Sequence, residues 1–486
     1  MIALLIPSKC CLYGVIFDAG STHTDTIVYQ WPGERLNGTG QLSQLGNCSV
    51  EKKGIADVPV TNVSSYLAKC INSAKDSIPP NRLPDTEVYF GATAGMRILQ
   101  EKNETTVAKI LEQVKSSLKE SDFFYEDSNV DVISGSREGL SGWISVNFLN
   151  QTLQTDSNGS AKSTLGALDL GGASLQISFE VDQVDNNTVN DLIHSVTLFG
   201  RNYDVYTQSF LCYGIVQAFN RYRALLVMSR NDSSNYNISS PCEPIGYSYR
   251  KKFSAIFGGP CVGNPSTEIG GKSDFTFFGT NNEEACSKYV KELIRPDFCK
   301  HVNSPHCLNI TMYPQVSRYF MAFSAFGHVI NDLNMSSRVT KKDFKTKISW
   351  MCSTNYDHLV FIQNSFKLQL SLRTLEGLCF GGHYIDAVLT EAFNFSSPND
   401  WQRLDFRTEV SGVGVSWSLG YMMNETVYMS STPSIPEMDA FSFGILLCVF
   451  ILLILFGLIF FFQAAKLDKP TTYERNSMSL QPREIA

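Results

Sequence analysis

The chain has no surplus of positive charge: 40 Lys and Arg stand against 47 Asp and Glu over 486 residues, a net charge of −7. That leaves no basis for a nucleic-acid groove, which needs a basic stripe. A polyanionic small substrate would have to be met by local backbone donors and a cation, not by a global field. Histidine is scarce, with 7 in all, and no histidine cluster has the spacing of metal ligands. No low-complexity tract and no repeat of the length used by solenoids or propellers is present, so those architectures are excluded. The N-terminus, Met-Ile-Ala-Leu-Leu-Ile-Pro, offers only a short apolar stretch, too little for a signal-peptide core with its cleavage site. An upstream membrane or signal segment is therefore expected in the full product.

What is present is a globular mix, 43% hydrophobic and 18% charged, long enough for two sizeable lobes or up to three domains. Residues 441–462 carry no charge and are long enough for a helix to span hydrocarbon. Lys466, Lys469, Arg475 and Arg483 follow them, whereas Glu437 and Asp439 precede. The positive-inside rule then predicts a transmembrane helix over 441–462, a cytoplasmic tail over 463–486, and the body of the chain outside the cell or in a lumen. Cysteine usage agrees. Of 13 cysteines, Cys10, Cys11 and Cys448 stand apart and ten lie between, an even number, as a disulfide-bonded ectodomain requires. Asn-x-Ser/Thr sequons at Asn37, Asn47, Asn62, Asn103, Asn150, Asn158, Asn186, Asn231, Asn237, Asn309, Asn334, Asn394 and Asn424 suit a glycosylated surface.

The strongest pattern is a motif that occurs twice. Asp18-Ala19-Gly20-Ser21-Thr22-His23-Thr24 follows the apolar run 13–17. Asp169-Leu170-Gly171-Gly172-Ala173-Ser174 follows Leu165 to Leu168 and leads into the β-like run 175–179. Each copy reads as a buried strand, an acidic residue, a glycine-rich turn and a second strand. Successive turn N–H groups make a concavity for phosphate oxygens, and glycine lets the backbone approach them. A carboxylate at the head of each turn can hold a metal ion directly or through its waters. Two such turns facing each other would grip a phosphate chain from both sides.

Elsewhere, 13–31 reads as a strand–turn–strand hairpin, 86–91 as a strand and 92–97 as a turn into a helix. Residues 105–118 have helical periodicity, 130–133 form a short strand, and 134–139 form a glycine-flanked turn before a helix through Trp143 to Leu149. The polar stretch 151–162 reads as a loop, and 430–436 as a short stalk.

Five segments, VIFDAGSTHT (15–24), GATAGMR (91–97), SGSREGLSGW (134–143), LDLGGASLQ (168–176) and SWSLGYMMN (416–424), resemble in this order the apyrase-conserved regions of the ecto-nucleoside triphosphate diphosphohydrolases. The resemblance implies an α/β, two-lobed actin/hexokinase-like (ribonuclease-H-like) fold with a nucleotide cleft, the first lobe taking 13–134 and 405–432 and the second, disulfide-rich, 135–404. It implies hydrolysis of nucleoside tri- and diphosphates to the monophosphate at the cell membrane, with Ca²⁺ or Mg²⁺ as cofactor and self-association through the membrane segment. Glu138 would be the general base, with Ser174 and Gln176 holding the attacking water. Ser21, Thr22, His23, Thr93, Ala94, Arg97, Gly171, Gly172, Ala173, Ser174 and Gln176 would bind phosphate. Asp18 and Asp169 would orient the waters of the metal. The resemblance also implies the pairs Cys48–Cys70, Cys212–Cys261, Cys242–Cys286, Cys299–Cys307 and Cys352–Cys379, among which spacing alone does not choose.

The residues by themselves leave other readings open. Glu138 could be a solvated surface carboxylate paired with Arg137, Arg97 a helix-surface charge, and His23 a turn residue satisfied by a carbonyl. Trp143 and Trp417 suit core packing better than stacking on a base. Three departures from the family pattern stand out, the first being that cell-surface members carry an N-terminal span as well, which this sequence does not show. Gly327-His328 follows Phe323-Ser324-Ala325-Phe326 where aromatic residues usually stack on the base, which leaves His328 as the stacking group. Ser136-Arg137 before Glu138 is more basic than the small or acidic residues expected there. A kinase or exopolyphosphatase of the same superfamily, or a non-catalytic nucleotide receptor, is the alternative. The kinase would need an acceptor domain and a cytosolic setting, and the receptor would be expected to have lost Glu138, Ser174 or Asp169.

Overall fold

In the computed structural model, residues 11–50, 53–154, 162–181, 190–230, 235–265, 274–310, 318–366, 372–429 and 440–467 are described. Cys10, the sequons at Asn158, Asn186 and Asn231, the 430–436 stalk and residues 468–486 of the expected tail lie outside them. The chain divides into two compact units, 1–430 and 431–486.

In the first unit, strands β1 (Cys11–Ala19), β2 (Thr24–Pro32), β3 (Ser43–Val50), β4 (Glu87–Ala92) and β5 (Val130–Val132) form one sheet in the order β3-β2-β1-β4-β5. A second sheet contains β6 (Gly166–Leu170), β7 (Ser174–Glu180), β8 (Ile193–Leu198), β9 (Arg201–Leu211), β13 (Phe320–Ser324) and β14 (Leu404–Phe406), ordered β14-β13-β6-β7-β9-β8. Strands β10 (Asn237–Ser240), β11 (Ser248–Lys252) and β12 (Asp274–Gly279) make a small third sheet. Read from its hairpin outward, the second sheet repeats the first. β1 and β6 each pair antiparallel with the next strand and parallel with a later one, β4 or β13. The duplicated motif thus belongs to a duplicated sheet, with β8 added at one edge.

The helices of eight residues or more are α1 (Val63–Asp76), α2 (Ala94–Lys102), α3 (Glu104–Lys119), α4 (Gly135–Leu149), α5 (Ile215–Met228), α6 (Glu283–Ile294), α7 (Ala325–Asp332), α8 (Lys341–Ser353), α9 (Tyr356–Phe366), α10 (Leu372–Ala387), α11 (Trp417–Tyr428) and α12 (Ala440–Leu467). Strand side chains alternate between faces, and the alternation divides the interior into three cores. Val15, Phe17, Val88 and Phe90 face one core with α1 and α3. Leu168, Leu170, Phe320 and Ala322 face another with the helices of the second half. Ile16, Tyr89, Ala167, Met321 and Phe323 face a middle core filled by Trp143 and Ile144 of α4 and by Trp417 and Met422 of α11. Helices α4 and α11 therefore lie between the sheets, and β1 and β6, covered on both faces, read as unbroken apolar runs.

One expectation about local structure is corrected. Residues 135–139 are not a turn: Ser134 caps α4, its Oγ accepting the Arg137 N–H at 3.1 Å, so the helix starts at Gly135 and Glu138 sits in its first turn. The ten cysteines pair as the resemblance implied, Cys48–Cys70, Cys212–Cys261, Cys242–Cys286, Cys299–Cys307 and Cys352–Cys379.

The second unit, in its described part, is α12, with exposed apolar side chains such as Phe450 and Leu453. Among the described residues no helix is long and apolar enough to cross a membrane. This corrects the expected transmembrane helix over 441–462 and the single-span cell-membrane placement built on it.

Candidate active site

The two duplicated turns meet. Gly171 N–H donates to Ser174 O at 3.0 Å, closing the second turn, and a Cβ added at Gly172 would stand 2.4 Å from Ser21 Oγ of the first. With Ser21 in this rotamer, glycine is what lets the two turns come this close. Between the turns lies a cavity of about 330 Å³. Asp18, Ser21, Thr22 and His23 line it from β1 and its turn, and Asp169, Gly171, Gly172, Ala173 and Ser174 from β6 and its turn. Thr93, Ala94, Glu138 and His328 complete the sequence-predicted part of the wall.

Arg97 and Gln176 do not line the cavity but stand behind it. Arg97 Nη2 donates to Glu138 Oε2 at 2.5 Å and to Ser174 Oγ at 3.3 Å. Gln176 Nε2 donates to the same Glu138 oxygen and to Ser174 Oγ, both at 2.9 Å, and to Ser209 Oγ at 3.2 Å. Glu138 is only 6% exposed and its partner is Arg97, whereas Arg137 turns away to Glu425. The reading of Glu138 as a solvated surface group is thereby overturned, and Arg97 is no helix-surface charge. His23 lines the cavity, with Nδ1 at 2.9 Å from Thr22 Oγ1 and Nε2 at 3.2 Å from Asp25 Oδ2.

Two carboxyl groups of the cavity wall, Glu138 and Asp169, are buried and a third, Asp18, is half-buried, and each is pushed up. Burial raises Glu138, with Arg97 opposing. Asp18 lies well above the usual aspartate range because of burial and then the nearby Asp25 and Glu138 charges; the Trp417 side chain hydrogen-bonds to it and opposes the rise. Burial, followed by the Glu138 charge, raises Asp169 to about 7, and its Oδ1 is buried without a partner. An orphaned carboxyl oxygen sharing a cavity with a second aspartate is the donor set of a hard divalent cation, met directly or through its waters. The residues fit such an ion, which would offset the excess negative charge. A separate grouping of Cys286, Cys379 and His383 has metal-like spacing among the described residues, but both cysteines are held in disulfides and offer no thiolate.

The family follows from the whole chain. Residues 7–437 match the model of the GDA1/CD39 (nucleoside phosphatase) family. The chain belongs to that family. Among the relatives of this GDA1/CD39 member, ectonucleoside triphosphate diphosphohydrolase 3 of Mus musculus is 33% identical over 85% of this chain and 78% of the relative. Ectonucleoside triphosphate diphosphohydrolase 8 of Gallus gallus is 34% identical over 85% and 83%, and ectonucleoside triphosphate diphosphohydrolase 1 of Bos taurus 32% identical over 91% and 86%. The crystal structure of a nucleoside triphosphate hydrolase from Neospora caninum superposes with a TM-score of 0.59 at 12% identity, covering 86% of this chain and 93% of that one, which shows the two-lobed actin-like α/β fold. As a GDA1/CD39 member the protein is a hydrolase.

Asp25, Ser324 and Thr408, which the sequence did not single out as site residues, also line this nucleoside phosphatase's cavity, as do Ser416 and Trp417 of the fifth resembling segment. Trp417 was assigned to core packing, and its ring does cover Gly91, where a Cβ would stand 2.4 Å from Cη2. It also touches Asp18, so it packs and positions at once, whereas Trp143 is core alone, 0% exposed. Ser324 ends β13 with φ +55°, a conformation rare for a side-chain-bearing residue, and hydrogen-bonds to Asp169. Its only sequence signal was its place at the end of an apolar run. Ser416 opens the fifth resembling segment, 416–424, whereas Thr408 gave no signal, being brought in from the far end of the chain.

Proposed function

We propose that this protein hydrolyses nucleoside tri- and diphosphates to the monophosphate and phosphate by direct attack of water, outside the reducing cytosol. One observation carries the reading: the Glu138 carboxylate is buried, tied to Arg97 and Gln176, and set beside Ser174 at the meeting point of two phosphate-type turns. Water is a poor nucleophile, and a carboxylate one hydrogen bond away from it can take its proton as the bond to phosphorus forms. Ser174 Oγ holds that water while Gln176 fixes Ser174 and Glu138 from behind, and the turn N–H groups of 20–23 and 172–174 receive the phosphate oxygens. Ca²⁺ or Mg²⁺ at Asp18 and Asp169 supplies positive charge to the phosphate chain when bound. His328 stacks against the base, and the lobes are 13–134 with 405–432, and 135–404. The five disulfides support an oxidising compartment.

The test is phosphate release from ATP, ADP and AMP by the full chain with Ca²⁺ or Mg²⁺, then with EDTA. Metal-dependent release from ATP and ADP but not AMP is expected. Folded protein that binds nucleotide yet releases no phosphate would make it a non-catalytic receptor instead.

A further inference from the structure

Arg137, the basic departure beside the base, is unused by the chemistry above. Its guanidinium lies 4.4 Å from the centre of the Tyr421 ring and 2.9 Å from Glu425 Oε1, both on α11. Resting on the hydrolytic reading, we propose that Arg137 is a positioning residue that pins the first turn of α4 to α11 and so sets where the Glu138 carboxylate points.

The argument is geometric. The first turn of a helix has N–H groups without intrahelical partners and frays most readily, and Glu138 sits in that turn. Further along, α4 meets α11 where Gly420 N–H donates to Ser145 Oγ at 2.7 Å. There the two helices are in close contact, a Cβ added at Gly420 standing 2.0 Å from Ser141 O, and Arg137 extends that contact to the first turn itself. The rail itself is held at both ends. Trp417 rests on Gly91 and Asp18 at its start, and Arg35 donates to Thr426 O and Met429 O, each at 2.6 Å, at its finish. Arg137 does not serve Glu138 through its charge, because Arg97 pairs with that carboxylate while Glu425 takes up the Arg137 charge.

The experiment uses the full chain and steady-state phosphate release from ATP for wild type, Arg137→Ala, Arg137→Lys, Glu425→Gln and the exchange Arg137→Glu with Glu425→Arg, alongside their melting temperatures. A small displacement of a reacting group costs on the order of 10²-fold in rate, so Arg137→Ala should lower kcat by about 10- to 100-fold with KM within about twofold. The lysine variant and the exchange should recover most of kcat. Wild-type kcat in Arg137→Ala, or equal losses of activity and folded protein across the set, would overturn the proposal, as would a folded exchange variant without recovery. Those outcomes leave the hydrolytic reading standing; absence of metal-dependent turnover in the wild type would fail the reading itself.

Discussion

Arg97 grips Glu138 at 2.5 Å and, with the same nitrogen, reaches Ser174 Oγ at 3.3 Å. One guanidinium from α2 thus opposes the upward shift of the Glu138 carboxyl and ties it to the second glycine-rich turn. Glu138→Gln keeps the size and the Gln176 contact but removes the proton acceptor. Turnover should fall by about 10²- to 10⁴-fold while nucleotide still binds. Phosphate release paired with calorimetric binding decides this, and retained turnover would remove Glu138 from the role.

Removing the partner tests the electrostatics. Burial already raises Glu138 and Arg97 opposes the rise, so Arg97→Met should raise it further. The base is then protonated at higher pH, and the acid limb of the kcat/KM profile should move to higher pH. An unmoved limb would show that Arg97 does not control the group.

Asp169 links metal to pH. Its folded value near 7 lies above the ordinary aspartate value of 3.8. A group raised on folding stabilises the protein fully below its unfolded value and loses that contribution as pH rises through the folded one. In EDTA the melting temperature should therefore fall across the window from about 4 to 7 on this group's account. Added Ca²⁺ or Mg²⁺, which competes with the proton, should raise it more at pH 8 than at pH 5. Equal metal effects at both pH values would contradict the assignment. EDTA should also abolish turnover.

Gly91 and Trp417 make a packing prediction. A methyl group at 91 would press into the indole ring, and overpacking of this kind costs about 1–3 kcal/mol. Gly91→Ala should lower the denaturation midpoint and, because Trp417 touches Asp18, weaken metal activation as well. A stability loss with unaltered metal dependence would separate packing from positioning.

Non-reducing peptide mapping should recover the five pairs present in the structure. The sequon at Asn424 should stay unmodified, because the Thr426 hydroxyl is buried and engaged with Gly40 N–H and Met423 O. Exposed Asn62 and Asn334 are the better acceptors. A glycopeptide containing Asn424 would contradict this placement.

Local order along the chain settled a good part of this molecule. Strands β1 and β6, their glycine-rich turns and the acidic residue at the head of each were legible because strand, turn and motif are short-range properties. So was the family, through five segments in order. The start of α4 was misread because glycines 135 and 139 flank Glu138 like a turn, while the Ser134 cap outweighs them. The charge-free stretch 441–462 read as a span, and among the described residues no helix meets that requirement.

Tertiary structure decided what each side chain does. Arg97 and Glu138, 41 positions apart, become one ion pair. Trp417 reaches Asp18 from the opposite end of the chain, and Arg137 turns to Glu425 although Glu138 is its neighbour. Composition and spacing can name a carboxylate as a candidate base. Its burial, its partner and the direction it points depend on which surfaces the two sheets and the helices between them bring together, and those contacts are long-range.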